Sequence, residues 1–215
     1  MELNLIQNIA VWALPVLFAI TAHEAAHAYA AKRFGDPTAF LMGRMTFNPL
    51  KHIDPIGTVV LPLICVLLPG GFLFGYAKPV PVNFNALRNP KRDMRWVAAA
   101  GPLANLAMAL LWALVLRFAM GALDGNSFQL PLALMAQAGI QINVVLMVLN
   151  LLPIPPLDGG RILVSLLPRD LARLVSQIEP YGIFILIALV LVPGLLSSIM
   201  SPFIHLVMRL VSVVL

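Results

Sequence analysis

Long apolar runs alternate with short polar, basic segments along this chain. A spanning helix needs about 20 mostly apolar residues. Four runs reach that length: Leu5 to Ala31, Trp96 to Met120, Leu132 to Leu152, and Tyr181 to Met200. Two other apolar stretches are less regular. Thr58 to Phe74 is interrupted by Pro62, Pro69, Gly70 and Gly71, which suits a re-entrant segment covered by protein. Phe203 to Leu215 is short and carries His205 and Arg209, as expected of an interfacial or partly inserted piece. Between these runs, Gly75 to Asn85 alternates Pro79 and Pro81 with Val80 and Val82. Prolines cannot donate to a ladder, so this stretch is an extended edge element or a rigid connector. The pattern predicts an all-α membrane protein: a polytopic helical bundle with a re-entrant segment and a short extended edge element, forming one domain over residues 1–215.

Composition agrees. Hydrophobic residues make up 60% of the chain and charged residues 11%. A soluble domain carries about 45–50% and about 25%, so the apolar excess implies a lipid bilayer. The net charge of +5 resides in the segments between apolar runs. No aromatic residues interleave with these basic residues, and no nucleic-acid-reading motif is present, so nucleic acid is not an expected partner. The loop Gly121 to Pro131 has Asp124 and no Lys or Arg, whereas Lys32, Arg33, Arg44, Lys51, Lys78, Arg88, Lys91, Arg92, Arg95, Arg161, Arg169 and Arg173 flank the other runs. The positive-inside rule places those basic segments in the cytoplasm. The single Cys65 excludes an intrachain disulfide.

Within the first apolar run lies His23-Glu24-Ala25-Ala26-His27. Residues four apart share a helix face, so both imidazoles can reach one metal ion, with Glu24 beside it. An ionisable residue at mid-membrane costs about 2.5–3.5 kcal/mol on insertion scales, so this cluster needs a compensating partner. Catalytic zinc usually takes three protein ligands. Asp158 is the best third candidate, in a stretch broken by Pro153, Pro155 and Pro156 and followed by Gly159 and Gly160. Lys32 and Arg33 mark the inner interface. His27 lies about 7 Å above them at 1.5 Å per residue, the same depth as Asp158. A helix cap is the plainer reading of Asp158. Asn105 reads as a hydrogen bond between helices. His52 and Asp54 read as a solvated loop pair, and Arg161 as an interface anchor.

These motifs resemble the site-2 protease family of intramembrane metalloproteases, peptidase family M50. The resemblance rests on the HExxH, on the NxxPxPxxDGG pattern from Asn150 to Gly160, and on Gly101-Pro102-Leu103-Ala104-Asn105. The stretches Asn48 to Thr58 and Lys78 to Asn83 look like the short bacterial forms. Together they span about Ala22 to Arg161, and the length leaves no room for the PDZ or CBS domains of larger members. The resemblance implies one Zn²⁺ held by His23, His27 and Asp158, Glu24 as general base, and Asn150 at the substrate or oxyanion. It implies hydrolysis of peptide bonds in or near transmembrane segments of membrane protein substrates, in a multi-pass cell-membrane protein with its site toward the cytoplasm. Val80 and Val82 are expected to contact an extended substrate. A membrane metal transporter would also place His and Asp in helices, but no internal repeat is visible. An inactive peptide-binding scaffold would not require Glu24.

Overall fold

The computed structural model describes residues 3–60 and 78–215. Helix α1 (Leu5–Phe34) starts at Asn4, whose side chain accepts from the Gln7 amide, while the Gln7 side chain accepts from the Asn4 amide. That reciprocal cap satisfies two otherwise orphaned donors. Gly35, at φ 113°, ends the helix in the left-handed conformation that glycine adopts without a Cβ penalty. A single turn, α2 (Thr38–Leu41), follows. The bundle continues through α3 (Pro90–Ala122), α4 (Gln129–Asn150), α5 (Asp158–Leu166), α6 (Arg169–Ser176), α7 (Gly182–Leu191) and α8 (Leu195–Ser212). Among the described residues, five helical stretches are long and apolar enough to cross a membrane: α1, α3, α4, the run Arg169–Leu191, and α8. The chain is a multi-pass membrane protein, all-α among the described residues.

Small residues set how closely the helices approach. Ala19, His23, His27 and Ala31 are buried at four-residue intervals along α1. On α3, Val97, Gly101, Asn105 and Ala109 repeat the same interval. The two stripes face each other in antiparallel register, which small side chains permit in a bilayer where backbones must come close to gain packing. Further along α3, Ala109, Trp112 and Ala113 form an apolar cluster with Ala136, Ile140 and Val144 of α4 and Val211 of α8.

The second half of the chain departs from the sequence reading. Tyr181 to Met200 is not one span. Val192 has an extended ψ of 110°, as a residue before proline prefers, and Gly194 has φ 79°, so Pro193-Gly194 ends α7 and starts α8. Phe203 to Ser212 is therefore not a separate interfacial piece but the continuation of α8.

No strand occurs among the described residues, and Lys78 to Asn83 is irregular backbone ending in a single turn, Phe84–Ala86. The Thr58 to Phe74 stretch falls largely outside the described residues, apart from the turn Pro55–Val60. Its flanks meet: the Lys78 amide donates to the His52 carbonyl at 3.0 Å. The Arg88 amide donates to the Phe34 carbonyl, and Lys91 Nζ donates to the Leu167 carbonyl at 2.6 Å. The C-terminal end of α1, the start of α3 and the end of α5 thus share one end of the bundle.

Candidate metal centre

His23 and His27 project from the buried face of α1 toward α3. Both Nδ1 atoms are engaged there: His27 Nδ1 with the Val97 carbonyl at 2.8 Å, and His23 Nδ1 with Asn105 Oδ1 at 2.6 Å. A carbonyl oxygen only accepts, so each Nδ1 carries a hydrogen, and in the neutral ring each Nε2 keeps its lone pair. The two Nε2 atoms lie 3.1 Å apart, and each is 3.2 Å from Asp158 Oδ2.

Asp158 is the first residue of α5. It does not act as a helix cap; the preceding residue, Leu157, occupies that position and makes no side-chain cap bond. Asp158 Oδ2 is buried and no N–H or O–H donor satisfies it. Two lone pairs and a carboxylate oxygen thus converge with no hydrogen between them. Tetrahedral zinc with bonds of about 2.0–2.2 Å separates its ligand atoms by roughly 3.3 Å. The donor set and its spacing fit such an ion. Among the described residues this is the one group of three or more His, Cys, Asp or Glu side chains gathered so closely.

Glycines make the convergence possible. A Cβ at Gly101 would lie 2.4 Å from His27 Nε2 and 2.6 Å from His23 Cε1. The sequence leaves open whether Gly159 and Gly160 form a sharp turn. They are helical, and what they permit is close approach: a Cβ would lie 2.3 Å from the Leu151 carbonyl oxygen at Gly159 and 2.3 Å from the Pro155 nitrogen at Gly160. The start of α5 is thereby pressed back against the end of α4, which carries Asp158 to the imidazoles.

Glu24 sits beside this cluster and accepts a hydrogen bond from the Val80 amide at 2.7 Å. The Lys78–Asn83 segment is held at other points too. Asp36, fully buried, accepts from the Asn83 amide at 2.7 Å, and Arg44 donates to the Lys78 carbonyl at 2.9 Å. Val80 and Val82 are placed differently from the expectation that they face substrate. Val80 is buried with Ala28 and Ala39, and Val82 packs on the cluster of Ala31, Leu87 and Val97. Their apolar side chains gain more against the alanine face of α1, leaving the backbone as the polar edge of the segment.

Asn150 ends α4, and its side-chain amide donates to the Leu146 carbonyl of the same helix at 2.9 Å. His52 is not a solvated loop residue. It is 1% exposed, its Nε2 lies 2.9 Å from the Thr46 carbonyl, and it anchors Lys78 as described. Arg161 lies 3.8 Å from Glu179 and over the Phe84 ring. Three contributors were missed from sequence: Gly101 as a steric requirement, Asp36 as a clamp, and Asn143, which accepts from Asn105 at 2.9 Å. A lone Asn in an apolar span was the available signal for Asn143.

Comparison with known proteins agrees with this geometry. The family model for peptidase family M50 matches residues 11–138 and 118–193. The chain belongs to peptidase family M50. It is 40% identical over 182 residues to a Bacillus subtilis protein named "Putative zinc metalloprotease YwhC", covering 84% of this chain and 80% of that one. It is 32% identical over 183 residues to "Putative zinc metalloprotease Rip2" of Mycolicibacterium smegmatis, covering 83% of this chain and 66% of the relative. The Rip2 protein of Mycobacterium tuberculosis H37Rv is 31% identical over a similar span. No solved structure matches the chain.

Proposed function

We propose that this M50 member is an intramembrane zinc endopeptidase that cleaves membrane protein substrates in or near their transmembrane segments. The observation that carries the reading is the convergence of His23 Nε2, His27 Nε2 and an unsatisfied Asp158 Oδ2 beside the Glu24 carboxylate, inside a bundle of apolar helices. One zinc ion held by these three side chains would supply Lewis acidity toward a peptide carbonyl and acidify water. Glu24 then takes the proton of the attacking water and delivers it to the leaving amide nitrogen. In this reading Asn150, at the end of α4, donates to the carbonyl oxygen as charge develops on it. An extended stretch of substrate pairs with the backbone of Lys78–Asn83 rather than with its valines, which agrees with the burial of Val80. The basic residues at the site's end of the bundle support a cytoplasmic orientation.

The test is metal analysis of the purified chain together with cleavage of single-span membrane proteins in proteoliposomes. Stoichiometric zinc and cleavage within or beside the span are expected. A zinc-loaded protein that hydrolyses no such substrate, at any position of the span, would sink the proposal.

A further inference from the structure

Asn105 and Asn143 are completely buried amides in the middle of membrane helices. Their hydrogen bonds have a direction that can be deduced one after another. Asn143 Nδ2 lies 2.8 Å from the Gly139 carbonyl, which only accepts. That fixes the Asn143 amide and turns its Oδ1 toward α3. Asn105 Nδ2 then meets two acceptors, Asn143 Oδ1 at 2.9 Å and the Ala19 carbonyl at 3.2 Å. The Asn105 amide is thereby fixed as well, with Oδ1 left for His23 Nδ1 at 2.6 Å. His27 needs no such device, because a backbone carbonyl holds its Nδ1 directly.

We propose that Asn105, itself oriented by Asn143, is a positioning residue that holds His23 in the Nδ1–H tautomer and so aims its Nε2 lone pair at the metal position. The inference rests on the metal-site reading above. A flipped Asn105 amide would present Nδ2 to the imidazole, favour the opposite tautomer and place a hydrogen where the ion belongs. The relay therefore links three helices: α4 sets α3, and α3 sets the ligand on α1. Partners that orient a ligating histidine typically matter 10–100-fold in metal affinity. Mere helix–helix glue does not. Side-chain hydrogen bonds between helices in a bilayer are individually weak.

Two measurements on the full chain in detergent test this. The first is the tautomer of His23 in metal-free protein, read by NMR of labelled histidines and identified with a His23→Gln reference. Wild type is expected to show Nδ1–H, and Asn143→Leu a mixture of both tautomers. The second is zinc affinity by chelator competition. Asn105→Leu is expected to weaken binding roughly 10–100-fold, and Asn143→Leu to weaken it less. Asn105→Asp, which keeps an acceptor facing Nδ1, should retain near wild-type affinity while melting earlier. A purely packing role gives the reverse order, with Leu tolerated and the buried carboxylate most damaging. That order, unchanged zinc affinity in folded Asn105→Leu, or an Nε2–H tautomer in the wild type would overturn the proposal. A wild type that binds no zinc would defeat the metal-site reading alone, since the tautomer is measured without metal.

Discussion

Gly101 shows how much chemistry one missing methyl group can carry. Replacing a helical glycine by alanine ordinarily favours the helix by about 0.8–1.0 kcal/mol. At Gly101 the sign reverses, because the new Cβ would press on both imidazoles at 2.4–2.6 Å. Gly101→Ala should lose about 1–3 kcal/mol, as overpacked cores do, and lose zinc with it. Thermal melting beside metal analysis separates the two effects. Glu24→Gln should do the opposite: zinc stays and cleavage falls by about 10²–10⁴, the usual worth of a general base. Wild-type turnover in that variant would remove Glu24 from the mechanism. The HExxH was legible because two histidines four apart share a helix face whatever surrounds them. Gly101 and Asn143 were not, because what they do depends on partners on other helices.

The same distinction holds for elements. Spans α1, α3 and α4 could be read from apolar length. Pro193-Gly194 is visible too, yet an apolar window reads through it and predicts one helix over Tyr181 to Met200, where the backbone breaks at Gly194. The prolines of Gly75 to Asn85 predict an extended edge element or a rigid connector; Lys78–Asn83 forms no strand, and its anchors on Glu24, Asp36 and Arg44 come from distant parts of the chain. Asp36 also accepts from the Thr38 amide and hydroxyl, so it ties the segment to the start of α2. Asp36→Ala should release this tie. Hydrogen exchange at the Val80 and Asn83 amides is expected to accelerate while zinc content holds, and cleavage of helical substrates to fall more than cleavage of substrates weakened by a Gly or Pro. Unchanged exchange would show that the remaining anchors suffice.

For the whole molecule, the proposed ligands come from α1 and α5, so bound zinc joins the two halves of the bundle. Ligand present at 100 times its Kd stabilises a fold by about 2.7 kcal/mol. Melting temperature should therefore rise with zinc in wild type and in Glu24→Gln, and stay flat in His23→Ala and Asp158→Ala. Equal shifts in all four would place the ion elsewhere. The contacts of Lys91 with Leu167 and of Arg88 with Phe34 put these segments at one end of the bundle. Single cysteines at Asn85 and Arg169, in a chain with Cys65 replaced, should thus label from the same compartment. The division of the proposed ligands between α1 and α5 would also set when a newly made copy gains the proposed activity. His23, Glu24 and His27 enter the membrane early, but Asp158 has not yet been synthesised. At about 5–20 residues per second the ribosome reaches it on the order of ten seconds later. Until then the proposed metal site lacks its third ligand, and on the proposed reading the nascent chain cannot yet cut the membrane proteins beside it.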